Sequence, residues 1–245
     1  MEKKRKKKMR PKILIIGNYT IDLLGSTQRE GGAPIYSSLG ITSAGGMPYI
    51  MSNSDKTVFK IEFNADNRRL VLVKSGGNIN LDEVKYYTTF IDGVLVNPVC
   101  KEVNEIDLIK VKRPIAVDLQ GFVRNCELMK EIENIRNVIF PKLSNYIVAH
   151  GNDDEFRALD DGISKLFNAG FKELLISYGR DGFDLVTPYD VKWFPVYEVG
   201  NFEVGNGDFL LGTYYTYRLM GLSPIDAAYL SRKLVEDFSN SRIHL

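Results

Sequence analysis

Five short apolar runs constrain this chain more than any other feature: Ile13–Ile16, Gly93–Val96, Ile115–Asp118, Tyr146–Ala149 and Glu173–Ser177. Each is too short for a helix and rich in Val, Ile or Leu, the mark of a strand buried on both faces. Between them lie helix candidates at Pro34–Ala44, Asn104–Lys110, Glu127–Asn137 and Asp153–Ala169. Strands alternating with helices predict a parallel sheet clothed by helices. Pro34 suits a first helical turn, where its missing N–H is no loss.

The last seventy residues change character. Phe183–Thr187 and Val191–Pro195 read as two β runs around a Pro-Tyr-Asp turn. A Gly-rich step follows, then helices over Asp208–Met220 and Pro224–Asn240, joined through Gly221 and capped by Ser223. A separate small β element is expected at 57–75: Val58–Phe63 and Arg69–Lys74 alternate apolar with polar residues around Asn64-Ala65-Asp66-Asn67. Alternation means that one face is wet or meets something other than the main core. We expect a basic tail over 1–11 and a single domain over 12–245.

Composition excludes more than it identifies. Of 245 residues, 44% are hydrophobic and 26% charged, which rules out a wholly disordered, collagen-like or coiled-coil chain. No run approaches the ~18 apolar residues that a membrane helix needs, so no membrane partner is expected. The N-terminus passes from charge straight into a strand-like run without the apolar core of a signal peptide, predicting a cytoplasmic protein. Cys100 and Cys126 are the only cysteines, too few for a disulfide framework or a zinc site of their own. Residues 1–10 carry +6 of a formal net charge of +1, leaving −5 on the other 235. Such a run stays solvated. It could attract phosphate, but no aromatic residue interleaves it and the body is mildly acidic, which argues against nucleic acid.

Phosphate-loop, dinucleotide-binding, serine-hydrolase and zinc-protease motifs are all missing. Only His150 and His244 exist, too few for a multi-histidine metal centre. The strongest local feature is Val204-Gly205-Asn206-Gly207-Asp208-Phe209, opening an apolar helix. Free amides at a helix start, approached closely because of glycine, form an anion pocket. Asp208 there reads either as a cap and dipole partner or as a base taking a proton from a hydroxyl that attacks phosphate. Three further segments carry the same ambiguity: Gly31-Gly32-Ala33-Pro34, His150-Gly151-Asn152-Asp153-Asp154-Glu155, and Ser177-Tyr178-Gly179-Arg180-Asp181-Gly182. Tight turn, capping box and glycine loop are the bland readings of each.

Taken in order, these segments resemble the ribokinase-like (PfkB) carbohydrate kinase family over nearly all of the chain after residue 12. The match starts with the strand ending Gly17-Asn18-Tyr19-Thr20-Ile21-Asp22; Gly205–Gly212 resembles the family's C-terminal signature. The resemblance implies an α/β fold, a three-layer sandwich around a mostly parallel sheet, and ATP-dependent phosphorylation of a substrate hydroxyl with Mg²⁺. Residue by residue it implies Asp208 as general base, with Gly205, Asn206 and Gly207 as the anion hole. It implies Asp22, Gly31, Gly32 and Tyr36 in the acceptor pocket. Asn152, Gly179, Asp181 and Gly182 fall to the nucleotide, and Glu155 to the metal through water. Asp118, Gln120 and Arg124 lie in a segment that looks like inositol-type members, where Arg124 reaches either a phosphate or a surface ion pair.

Departures from the pattern sharpen these expectations. Phe202-Glu203 stands where the family places Asp-Thr, Asn206 replaces the usual alanine, and Tyr36 replaces an asparagine. The acceptor is therefore expected to be a cyclic polyol such as inositol, or a nucleoside, rather than ribose. Too few residues separate Asp22 from Gly31 for a pair of lid strands, so a reduced lid is expected, with room for a homodimer to cover the site. The other reading keeps the fold without catalysis, as a ligand-binding regulatory protein.

Overall fold

A computed structural model describes residues 10–64, 67–134, 138–201 and 204–240. Most of the basic tail, and Phe202-Glu203, therefore lie outside the described residues. In chain order the first elements are β1 (Lys12–Ile16), β2 (Thr20–Leu24), β3 (Thr27–Gly31), α1 (Ala33–Ser43), β4 (Met47–Met51), β5 (Thr57–Asn64) and β6 (Asn67–Lys74). Next come β7 (Gly93–Val96), β8 (Ile115–Asp118), α2 (Gln120–Val123), β9 (Tyr146–Asn152), α3 (Asp153–Arg157) and α4 (Gly162–Ala169). The chain closes with β10 (Glu173–Ser177), β11 (Gly182–Val186), β12 (Val191–Pro195), α5 (Asn206–Leu219) and α6 (Pro224–Ser239).

The apolar runs become the middle of a sheet ordered β12-β11-β10-β9-β8-β7-β1-β4. Its pairs from β4 to β10 are parallel, and β11 and β12 add an antiparallel edge. Successive side chains leave opposite faces of a strand, so β1 feeds two cores. Ile13 and Ile15 join Ile41, Leu211 and Tyr214 on one side. Leu14 and Ile16 join Leu108, Phe122 and Leu166 on the other. The three-layer α/β sandwich is as expected.

Helix α5 carries the structure of one layer. Residues 209 to 216 are all buried, the pattern of a helix enclosed on every side. Its polar groups are tied down at the far end: Tyr215 Oη donates to Pro114 O at 2.6 Å, Tyr214 Oη to Glu173 Oε2 at 2.7 Å, and Arg218 pairs with Glu173 at 2.7 Å. Along its flank it meets α1 backbone to backbone. A Cβ on Gly40 would lie 2.4 Å from Phe209 O, and one on Gly212 would lie 2.7 Å from Ser37 O.

The lid corrects the sequence reading. Residues 20–31 hold two strands, because Gly25, in the left-handed region at φ 58°, lets a two-residue turn join β2 to β3. With β5 and β6 they form a four-stranded sheet ordered β3-β2-β5-β6. The lid therefore has four strands where the sequence pattern showed only the β5–β6 hairpin, and Phe59 and Leu72 pack against Ala33 and Val99.

Two helix expectations also fail. Residues 127–134 are not helical; they run along the open edge of β6, where Met129 N donates to Leu72 O and Ile132 N to Leu70 O, both at 2.7 Å. Unpaired edge groups compete successfully for this backbone, and left-handed Cys126 and Met129 interrupt any helix. Residues 135–137 lie outside the described residues. Asp153–Ala169 breaks into α3 and α4 at Asp161, which is left-handed at φ 51°. Cys100 and Cys126, too few for a disulfide framework, form a single disulfide tying the loop after β7 to this edge segment. Beside it, Glu102 is buried and accepts the N–H groups of Asn18, Val99 and Cys100 at 2.6–3.0 Å.

Gly40→Ala forces α1 and α5 apart, and overpacking of this kind costs about 1–3 kcal/mol. Urea denaturation is expected to show that loss as a lower midpoint with an unchanged slope.

Candidate active site

In open α/β sheets ligands bind beyond the carboxyl ends of the parallel strands, and this is where the polar residues gather. Asn97 follows β7, Asp118 ends β8, Asn152 ends β9 and Ser177 ends β10. Above them the lid forms one wall of an open cavity of about 710 Å³.

At its centre is the first turn of α5. Gly205 is the N-cap in left-handed conformation at φ 81°, and the helix starts at Asn206. Both glycines here are fixed by neighbours: a Cβ on Gly205 would sit 2.2 Å from Tyr36 Cγ, and one on Gly207 would sit 2.7 Å from His150 Cε1. Residues 206 to 208 form the first turn of the helix and line the cavity, at the positive end of the helix dipole. Asp208 is not the cap, and no side chain caps this helix. Its Oδ1 instead accepts Asn97 Nδ2–H at 2.7 Å, while Asn97 also donates to Ser37 Oγ at 3.1 Å.

The electrostatics follow from crowding. Burial, reinforced by the nearby charge of Asp118, pushes Asp208 up to about 7; Asn97, His150 and Arg124 pull the other way. Glu155 is pushed up to about 7 by burial and then by Asp118, against Arg124 and the Asn152 amide. Burial, the largest single effect, lowers His150, but Asp118, Glu155 and Asp208 together outweigh it, so its net shift is upward. Asp118 is itself oriented on both oxygens: Gln120 N donates to Oδ1 at 2.9 Å, and His150 Nδ1 lies 2.6 Å from Oδ2.

Most of the predicted residues converge. Asp22, Gly32, Tyr36, Asp118, Gln120, Arg124, Asn152, Glu155, Gly179, Gly182 and the 205–208 turn all line the cavity. Gly31 and Asp181 do not; Gly31 is buried behind Thr20 and Asp181 is exposed in the turn after β10. Asn152 and Glu155 form the capping box that was the bland reading, each side chain bonded to the other's backbone N–H at 2.8–2.9 Å. Arg124 is no surface ion pair: half-buried, it donates to Val99 O at 2.9 Å and lies 6.0 Å from the Phe59 ring centre. Sequence reasoning missed Asn97, Ser177, Arg29 and Arg232. Asn97 and Ser177 carried one usable signal, a polar residue at the end of an apolar run.

No protein-family model matches the sequence, and no curated protein matches it. Solved structures do. A pyrophosphate-dependent kinase in the ribokinase family, complexed with a pyrophosphate analog and myo-inositol, superposes with TM-score 0.69 over 93% of this chain and 94% of that one, at 17% identity. Arabidopsis thaliana ribokinase, complexed with ribose and ATP, gives 0.63 over 93% and 92%, at 13%. Fructokinase with bound ATP from Xylella fastidiosa gives 0.68 over 97% and 93%, at 13%. This chain has the ribokinase fold. Within the ribokinase fold as built here, the lid, the α5 turn and the glycine loop at 179–182 surround one cavity. No helix is long and apolar enough to cross a membrane, and no group of three or more His, Cys, Asp or Glu could hold a metal ion, both among the described residues.

Raised carboxyl groups leave a mark on stability. Asp208 keeps its proton in the folded state up to about 7, against an ordinary value near 4. Its stabilising contribution is thus present at low pH and is lost as pH rises through 7. Asp208→Asn removes that loss. Because Asp208 is only half-buried on the cavity wall, the gain is discounted to about 1 kcal/mol, or about 2–4 °C in Tm for a chain of this size. Thermal unfolding is expected to show the gain at pH 8 and little at pH 5.

Proposed function

We propose that this chain is a small-molecule kinase that transfers the terminal phosphoryl group of ATP to a hydroxyl of a sugar, polyol or nucleoside. One observation carries this reading: a carboxyl group pushed up to about 7 stands on the first turn of a helix, and that turn, residues 205–208, lines the cavity. Asp208 takes the proton from the attacking hydroxyl. The amides of residues 206–208 receive the charge that moves onto the transferred group. Acceptor hydroxyls are held by Asp22, beside Arg29 across the β2–β3 ladder, and by Tyr36. Tyr36 together with the Asp118–Arg124 segment favours a cyclic polyol such as inositol.

The donor set suits Mg²⁺ only in an outer role. Asp118 is committed to His150 and Gln120, and Glu155 Oε2 to Asn152 N–H. A magnesium ion that keeps its waters and the donor's phosphate oxygens as ligands would be met by Glu155 through water. An ion held there would supply charge neutralisation of the donor phosphates. The protein works in the cytoplasm in this reading, although a disulfide is unusual in a reducing compartment.

Pyrophosphate is a second candidate donor, favoured by the seam at the far end of the cavity. Tyr197 N donates to Glu236 Oε1 at 2.7 Å, and Asn240 Nδ2 to Glu198 O at 3.2 Å. A Cβ on Gly200 would lie 2.0 Å from Ser239 O. This loop is thus fastened onto α6, and Arg180 and Arg232 line the cavity beside it. Their guanidinium groups offer a short inorganic polyphosphate positive charge, Arg232 sharing its own with Glu236 at 3.1 Å.

A phosphoryl-transfer screen over polyols, nucleosides and sugars, run with Mg-ATP and with Mg-pyrophosphate, tests both donors. Asp208→Asn is expected to lower kcat by about 10²–10⁴-fold while calorimetry still detects donor binding. Unchanged turnover refutes the base; donor binding without any product supports the regulatory alternative. In the wild type, kcat is expected to fall about tenfold per pH unit below 7, as Asp208 gains its proton, and to level off above it.

A further inference from the structure

Asp118, His150 and Ser177 form a hydrogen-bonded line that the proposed base and anion hole leave unused. Asp118 Oδ2 is 2.6 Å from His150 Nδ1, and His150 Nε2 is 2.8 Å from Ser177 Oγ. The first two residues are only 3% and 5% exposed, whereas Ser177 is half-buried on the cavity wall. The imidazole lies directly beneath Gly207, so the amides of the α5 first turn stand beside it. A nucleophile, a base within hydrogen-bond reach and a buried carboxylate that orients the base make an activated hydroxyl. Groups that only satisfied one another would close on themselves. This line ends on a hydroxyl facing the cavity, next to the glycine loop at 179–182.

We propose that Ser177 is a second phosphoryl acceptor, taking the terminal phosphoryl group of a polyphosphate donor when no alcohol occupies the cavity. The Oγ–P bond forms as the P–O bond to the leaving nucleoside diphosphate, or to phosphate when pyrophosphate is the donor, breaks. The hydroxyl proton passes to His150 Nε2, and Asp118 holds the resulting imidazolium. The α5 amides receive the developing charge as they do for an alcohol. This inference rests on the donor placement proposed above, but not on Asp208 or on any particular alcohol.

The full chain incubated with Mg-ATP or Mg-pyrophosphate, without alcohol, is expected to gain one phosphate located at Ser177 by intact mass and peptide mapping. Ser177→Ala, a one-atom truncation on the cavity wall, is expected to abolish that label. His150→Gln is expected to slow it about 100-fold, the loss of a general base; Asp118→Asn serves if that variant does not fold. Label on Ser177 without phosphorylation of any alcohol supports the inference and overturns the kinase reading. Phosphorylated alcohol with no label on Ser177, or label that persists at full rate in His150→Gln, overturns the inference and leaves the kinase reading standing. Absence of both products, with donor binding measured separately, overturns both.

Discussion

Helices α1 and α5 touch backbone to backbone, and the rest of the site depends on that contact. Gly40 against Phe209 and Gly212 against Ser37 leave no room for a methyl group between the helices. Interiors pack at crystal density, so a shift here would travel. The start of α5 is thereby held against the strand ends, where Ser37 Oγ and Asn97 reach Asp208. At the other end of the helix, Tyr214, Tyr215 and Arg218 fasten it to Pro114 and Glu173. A helix pinned at its far end and clasped on its flank presents its first turn with little freedom, which is what preorganised charge stabilisation requires.

That rigidity carries an electrostatic cost. Asp118, Glu155 and Asp208 crowd one end of the cavity, and two of them are pushed up to about 7. Arg124 and His150 offset part of the repulsion. Carboxyl groups with raised values, gathered in a cleft, are a common property of functional sites. A stable core has no need of them, since polar groups of this kind destabilise unless they are paired.

The lid shows where pattern reading fails. β5 and β6 were legible from the runs Val58–Phe63 and Arg69–Lys74, and the strands extend those runs to eight residues each. β2 and β3 were not, because Thr20–Leu24 and Thr27–Gly31 are short, mixed in polarity and only half-buried. They become strands by pairing with each other and with β5, a partner more than thirty residues away. Residues 127–134 err in the other direction: their composition suits a helix, but the open edge of β6 and the disulfide at Cys126 claim the backbone first. Propensity yields to tertiary pairing in both cases.

The sequence by itself determined the parallel sheet, the C-terminal helix pair and the glycine turn before Asp208. Each of these is written in local terms, as apolar run length, cap residues and backbone freedom. Only the tertiary structure decided that Asp208 faces Asn97 instead of capping its helix, that the lid has four strands, and that Asp118, His150 and Ser177 line up. Those outcomes depend on residues dozens of positions apart arriving at neighbouring strand ends. Distances of that kind are set by sheet order and helix packing, which no local pattern encodes.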